Sequence, residues 1–129
     1  MHPHEEAVVR AFIAPPRRAR WLDALASAKR RRPFLDRLNH CRDIDDRYAK
    51  PLPSGSDVVA LLRSMGAPAD CHVVSDIADI DGRELPLAEA VDRAELAGFG
   101  TIVSCVPGRL AYYFDESGSR RFLLLREPA

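Results

Sequence analysis

Cys105, His72 and Asp76 are the residue types that a thiol enzyme uses as nucleophile, base and orienting acid. A thiolate attacks, a histidine accepts the thiol proton, and a carboxylate holds the histidine in position. Cys105 also precedes Pro107-Gly108 at the end of a predicted strand, where α/β folds often expose catalytic side chains. The spacing matches no known nucleophile motif, and cysteine in a central strand is usually a small core residue. A small thiol-dependent enzyme is therefore an alternative, with no catalytic residue assigned.

A polar cluster stands where a predicted helix passes into an irregular segment. Its members are His40, Asp43, Asp45 and Arg47. Because loops held on rigid elements often carry function, the cluster is suited to recognition or to acid–base chemistry. The other interpretation is a salt-bridged loop that docks the N-terminal helices onto the rest of the chain, and we favour it.

Six arginines in the first third of the chain are candidates for binding a phosphate backbone: Arg17, Arg18, Arg20, Arg30, Arg31 and Arg32. Residues 1–50 carry 12 basic and 7 acidic side chains, and residues 51–129 carry 7 and 12. A nucleic-acid-binding accessory protein is thus a second alternative. On a helical wheel, Arg18 and Arg32 fall near the apolar side and Arg20 on the far side, so the cations form no single stripe. The opposite charges of the two halves equally allow them to neutralise each other inside the fold.

Metal ligands of the zinc type are present but poorly spaced. They form two adjacent pairs thirty residues apart, His40 with Cys41 and Cys71 with His72. Adjacent residues on a helix or strand point in different directions, so both members of a pair rarely reach one ion. The acidic loop 76–84 lacks the end carboxylates of an EF-hand. His2 and His4 are interpreted as a frayed terminus, and the sequence predicts no metal and no cofactor.

Length and composition are those of one folded domain, 1–129, since 129 residues with 47% apolar and 29% charged side chains can bury a core. The apolar runs are too short to span a bilayer, and the start of the chain lacks the pattern of a signal peptide. Three widely spaced cysteines argue against a disulfide framework. We therefore expect a cytoplasmic protein with no membrane partner.

Arginine outnumbers lysine 17 to 2, which indicates the codon bias of a GC-rich, bacterial genome.

The first third of the chain is helical in pattern and predicts a three-helix cap over residues 1–48. Apolar side chains recur at helical spacing in three segments, 6–14, 17–32 and 33–41. Pro15-Pro16 ends the first helix. Pro33 is expected to end the second helix at Arg32, because the residue before a proline disfavours the helical conformation. Residues 43–53 contain too many prolines for a regular element and are predicted to be a linker.

Residues 54–129 are predicted to form an α/β body. One helix begins at Ser54, and another runs from Pro86 to Gly98. The predicted strands are Cys71–Ser75, Thr101–Val106, Leu110–Asp115 and Arg121–Arg126. The last three form an antiparallel meander through Pro107-Gly108 and Ser117-Gly118. Since Pro-Gly suits a two-residue hairpin poorly, we expect the first of these connections to be longer than two residues.

The elements predict an α+β fold in the order α-α-α-α-β-α-β-β-β, with the helical cap packed on a four-stranded mixed sheet. A right-handed crossover would make Cys71–Ser75 parallel to Thr101–Val106. Thr101–Val106 is apolar on both faces, so it should be central and covered on both sides. Arg121–Arg126 should be an edge strand.

Tyr113, Arg121 and Leu123 are predicted to form an amphipathic patch if one face of the sheet is uncovered. Such a patch binds protein partners, and the edge strand offers a second route to self-association. The sequence therefore indicates a non-catalytic protein-binding or regulatory module of a bacterial cytosolic system. The nucleic-acid-binding protein and the thiol enzyme are its alternatives.

Overall fold

The computed structural model describes residues 1–116 and 120–127. Its α-helices are α1 Pro3–Phe12, α2 Arg18–Ala26, α3 Ala28–Phe34, α4 Val58–Ser64 and α5 Leu87–Ala97. Its strands are β1 Ala49–Pro51, β2 Asp70–Ser75, β3 Glu84–Pro86, β4 Thr101–Val106, β5 Leu110–Asp115 and β6 Arg120–Leu125. Short 3₁₀ helices cover Pro15–Arg17, Leu35–Leu38 and Asp46–Tyr48. The predicted α+β class is confirmed.

The strands form one sheet in the order β1-β6-β5-β4-β2-β3, and every neighbouring pair is antiparallel. The prediction of four strands in a mixed sheet is therefore wrong. Val73 pairs with Val103 in an antiparallel register, so β2 and β4 are not the expected parallel pair. The cause is β3, which forms a hairpin with β2 and reverses the chain before α5. Helix α5 then joins β3 to β4, which flank β2 and run in the same direction.

The predicted linker 43–53 contains strand β1, which pairs with β6 from Ala49↔Leu124 to Pro51↔Phe122. Strand β6 is therefore covered along this side, and the prediction that Arg121–Arg126 is an edge strand is wrong. The two edge strands, β1 and β3, are three residues long and each ends in proline. Short edges with proline limit pairing with another chain.

Helices cover both faces of the sheet. Helices α1 and α2 contribute Phe12 and Trp21 to the core on one face, and α5 contributes Leu87 to the core on the other. The interior strand β4 alternates between them, since Ile102 lies in the first core and Val103 in the second. The predicted central position of β4 is confirmed, and so is the packing of the N-terminal helices over the sheet.

The break between the second and third helices falls at Ser27, not at Arg32. Ser27 is extended, with φ −104° and ψ 114°, and its side chain accepts a hydrogen bond from the Arg30 N–H at 3.2 Å. This bond satisfies one of the free donors at the start of α3 and so fixes the boundary there. Pro33 is accommodated in the last turn of α3.

The remaining boundaries agree more closely with prediction. Helix α4 begins after Asp57, whose side chain caps it, rather than at Ser54. Gly98 ends α5 in the left-handed conformation, as predicted. The turn at Pro107-Gly108 spans residues 107–109, and a register shift precedes it, which confirms the longer connection. The Ser117-Gly118 connection lies outside the described residues. Within the described ranges, no helix is long and apolar enough to cross a membrane.

Gly100 lies against the backbone where the N-terminal helices meet β4. A Cβ atom at this position would overlap the carbonyl group of Leu38 and the amide nitrogen of Asn39. We expect Gly100→Ala to lower the free energy of unfolding by about 1–3 kcal/mol, because one of the two segments must shift. Urea unfolding measures the change. The control Ala97→Ser, at an exposed position, should stay within about 0.5 kcal/mol of wild type. Equal stability of Gly100→Ala and wild type would contradict the close contact between Gly100 and the backbone of residues 38–39.

Candidate metal centre

A buried ion network joins α1, α3 and the loop between β2 and β3. Glu5 of α1 is 3% exposed, and Arg31 of α3 donates to both of its carboxylate oxygens, at 2.6 and 2.8 Å. The same guanidinium donates to both oxygens of Asp81, at 2.8 and 3.0 Å. Arg31 therefore bridges two carboxylates with paired, charge-assisted bonds, which fix the orientation of all three side chains.

Hydrogen bonds from Arg32, the residue after Arg31, also hold the loop 76–81 in place. Arg32 donates to the backbone carbonyls of Ser75 and Asp76, at 3.0 and 2.7 Å, and to Asp81 at 3.2 Å. Asp81 also accepts from the Ser75 N–H at 3.0 Å. Arginines of the basic half thus pair with carboxylates of the acidic half inside the fold, which is one of the two arrangements that the sequence left open.

His72 of β2 completes this network and leaves one ring nitrogen without a partner. The ring is 1% exposed, and its Nε2 lies 2.7 Å from the Glu5 Oε2. Burial alone would raise the pKa of Glu5, but hydrogen bonds from His72 and Arg31 outweigh it and lower the pKa to about 2. Glu5 is therefore a carboxylate and can only accept, so Nε2 must be the donor. In the neutral ring Nδ1 then keeps its lone pair, and Nδ1 has no hydrogen-bond partner among the described residues.

His2 and His4 are ordered around the start of α1, so their interpretation as a frayed terminus is wrong. The His2 ring stacks on His72, with centroids 3.8 Å apart and planes at 14°, and its Nδ1 caps the helix by accepting from the His4 N–H at 3.2 Å. His4 Nδ1 lies 2.8 Å from the Ser104 Oγ on β4. Burial, and the neighbouring His72 and His2, lower the pKa of His4. Pro3 in the first turn favours this helix start.

One ligand atom from each of His2, His72 and Glu84 lies within 4.8 Å of the other two. In a tetrahedral zinc site with bonds of 2.0–2.1 Å, the ligand atoms are about 3.3 Å apart, so this set must contract on binding. The side chains of His2 and Glu84 are 37% and 62% exposed and have room to move, whereas His72 is fixed by Glu5. A carboxylate that accepts the other ring N–H of a ligating histidine is the usual support of a metal ligand.

The Glu5 pKa predicts acid sensitivity. The pKa lies near 4.5 in the unfolded chain and about 2 in the folded protein, so the stabilisation is present above pH 4.5 and is lost as the pH falls toward 2. The groups facing Glu5 are Arg31 and His72, and both favour its charged form. In metal-free buffer, urea unfolding at pH 5 and pH 2 should show a smaller loss of stability in Glu5→Gln than in wild type. An equal loss of unfolding free energy in the variant and in wild type would contradict the lowered pKa of Glu5.

The proposed thiol triad is not assembled. His72 pairs with Ser104 across the sheet, so it faces α1, whereas Cys105 belongs to the core on the opposite face. A hydrogen bond with Cys71, together with burial, raises the pKa of the Cys105 thiol, which disfavours the thiolate. Asp76 accepts from the Asn39 side chain at 2.7 Å rather than from a histidine.

The predicted polar cluster is divided between three places. Asp43 is buried and its Oδ2 accepts from Trp21 Nε1 at 2.9 Å and from Arg37 at 2.9 and 3.0 Å. Asp45 pairs with Arg47 at 2.7 Å. His40 Nε2 lies 3.5 Å from Glu116. The contacts of Asp43 join α2 to the loop before β1, in keeping with a docking loop.

The other predicted arginine sites are dispersed. Arg17 lies 3.9 Å from Asp43, Arg18 donates to the Ile13 carbonyl at 2.9 Å, and Arg30 pairs with Asp23 at 2.6 Å. Arg20 is exposed. Together with the partly buried position of Arg31, these contacts leave no continuous cationic surface built from the six residues.

Tyr113, Arg121 and Leu123 do not form one exposed patch. Both faces of the sheet are covered, and Tyr113 lies in one core while Leu123 lies in the other. Arg121 Nε lies 3.4 Å from Glu95 on α5. The predicted amphipathic patch is therefore wrong, because the face that was needed for it is buried.

Sequence reasoning missed His2, Glu5, Arg31 and Glu84 as partners of His72. One signal was available, since a histidine inside the apolar run Cys71–Ser75 must find a polar partner when it is buried.

The fold and the site define an α+β protein, with a helix-covered antiparallel sheet and a histidine–carboxylate pair beneath a surface cluster of possible metal donors. Comparisons with protein-family models, with curated proteins and with solved structures found no match to this chain.

Proposed function

We propose that this protein binds a divalent transition-metal ion of the zinc class through His2, His72 and Glu84. The observation that carries the proposal is the buried His72 Nδ1 atom, which has no hydrogen-bond partner among the described residues. His72 also has donor atoms of two further side chains, His2 and Glu84, within 4.8 Å of one of its ring nitrogens. An unsatisfied buried acceptor costs free energy, and a metal ion supplies the missing partner. The Glu5 carboxylate holds the ring in the tautomer that ligation requires.

The donor types favour zinc over the alkaline-earth ions. Two imidazole nitrogens and one carboxylate oxygen suit Zn²⁺, whereas Mg²⁺ and Ca²⁺ prefer oxygen donors alone. Coordination through His2 Nε2 places the ring proton on Nδ1, so the helix-capping bond to the His4 N–H is exchanged for the metal bond. The ion would then connect the start of α1 with β2 and β3.

Calorimetric titration with Zn²⁺ tests the proposal. We expect one ion per chain, no competition from millimolar Mg²⁺, and an affinity at least about tenfold lower in Glu84→Gln. Glu84 is well exposed, so this variant should fold normally. The matched control is Glu89→Gln, an exposed carboxylate on α5 that should bind zinc as wild type does. Absence of zinc binding, or identical affinities in the two variants, would overturn the proposal.

The role of a protein-binding or regulatory module remains a prediction. If it holds, the contact surface must use residues other than Tyr113 and Leu123, which are buried. Among the described residues, the large apolar side chains that are well exposed are Met1, Leu96 and Phe99. Leu96 and Phe99 lie near the C-terminal end of α5.

A further inference from the structure

We infer that an ion held by His2, His72 and Glu84 keeps one coordination position open to solvent and accepts a small anionic ligand, such as a carboxylate or azide, at that position. This inference rests on the proposed function. It distinguishes an open site, in which the fourth ligand is exchangeable, from a closed site that serves only to stabilise the fold.

The number of protein donors supports an open site. Among the described residues, the donor group comprises three side chains. Structural zinc sites are closed by four protein ligands, whereas sites with three protein ligands take water or substrate as the fourth. An ion with two histidines and one carboxylate therefore has a vacancy to fill from solution.

The nearest additional donors are already committed to other contacts. Glu5 uses one oxygen for His72 and both for Arg31. The His4 ring centroid lies 5.6 Å from that of His2 and 5.7 Å from that of His72, and its Nδ1 contacts the Ser104 hydroxyl at 2.8 Å. Neither side chain belongs to the three-donor group.

The exposure of the donors places the open position on the solvent side. His72 approaches from the protein interior, where Glu5 and Arg31 lie behind it. His2 and Glu84 are on the outer side and are substantially exposed. A small anion can therefore reach the ion without displacing a core side chain. In the exchange, one bound water leaves and one anion takes its place, and no bond to the protein is broken.

Absorption spectroscopy of the Co²⁺-loaded protein tests the inference, because the visible bands of Co²⁺ respond to its ligands. We expect azide to change the spectrum saturably at one equivalent of bound Co²⁺, and we expect His4→Gln to retain both the Co²⁺ affinity and the azide response. His40→Gln is the matched control, since His40 is an exposed histidine away from the site.

The possible results separate the inference from the proposed function. If Co²⁺ binds but azide leaves the spectrum unchanged, and His4→Gln weakens Co²⁺ binding, the site is closed by His4 and the inference is overturned while metal binding stands. If Co²⁺ binds but azide leaves the spectrum unchanged in both wild type and His4→Gln, the inference is likewise overturned. If Co²⁺ does not bind, both the proposed function and the inference fail.

Discussion

Arg31→Met is expected to lower the free energy of unfolding by about 3–5 kcal/mol, because it leaves buried charges without their partner. The Arg31 guanidinium is 17% exposed and makes paired bonds to Glu5 and to Asp81. Methionine fills a similar volume but supplies no donor, so the two carboxylates would face each other across an apolar side chain. Urea unfolding at neutral pH, in metal-free buffer, measures the effect.

The neighbouring Arg30→Met variant is the matched control for this experiment. Arg30 pairs with Asp23, but both side chains are well exposed, and such surface pairs contribute about 1 kcal/mol or less. A large difference between the two variants is therefore expected. If Arg31→Met were no less stable than Arg30→Met, the buried network would not have the structural role assigned to it.

His72→Gln is expected to reduce zinc affinity by about a hundredfold or more, because it removes the one ligand that the fold holds in place. Glu5 and Arg31 fix the position of His72, whereas His2 and Glu84 must move to reach the ion. His2→Ala should therefore have a smaller effect, about tenfold or more. Zinc titration of both variants measures the losses.

Two checks make this second prediction decisive. Circular dichroism of His72→Gln must show a folded protein, since this position is buried. His40→Ala, which removes an exposed histidine elsewhere, should bind zinc as wild type does. A zinc affinity that is the same in His72→Gln and His40→Ala would rule out His72 as a ligand.

The elements with strong patterns were predictable from sequence. Strand β4 has apolar residues on both of its faces, and α5 begins after a proline and ends at Gly98, so both were located closely. Strands β1 and β3 were not, because three residues carry no periodicity and each strand ends in proline. Missing β3 had the larger consequence, since one uncounted hairpin reversed the predicted direction of β2 relative to β4.

The site depends on contacts that sequence spacing does not reveal. His72 and Glu84 are cross-strand partners in the β2–β3 hairpin, and His2 joins them because the start of α1 lies against this part of the sheet. The register of β2 with β4 also decides which side chains can cooperate. Because His72 pairs with Ser104, the adjacent Cys105 must point to the opposite face. From the sequence alone, Cys105 and His72 could form a nucleophile–base pair. The strand register shows that they lie on opposite faces of the sheet.

The central claim is that the His72 Nδ1 lone pair is held available for a metal ion by the bond from Nε2 to Glu5. Histidine ring ¹⁵N NMR of the protein, recorded with and without one equivalent of Zn²⁺, tests this claim most directly. The account predicts a proton on Nε2 and a lone pair on Nδ1 without metal, and a zinc-induced shift at Nδ1 while the Nε2 proton remains. A ring protonated at Nδ1 in the metal-free protein, or His72 signals that do not respond to zinc, would contradict it.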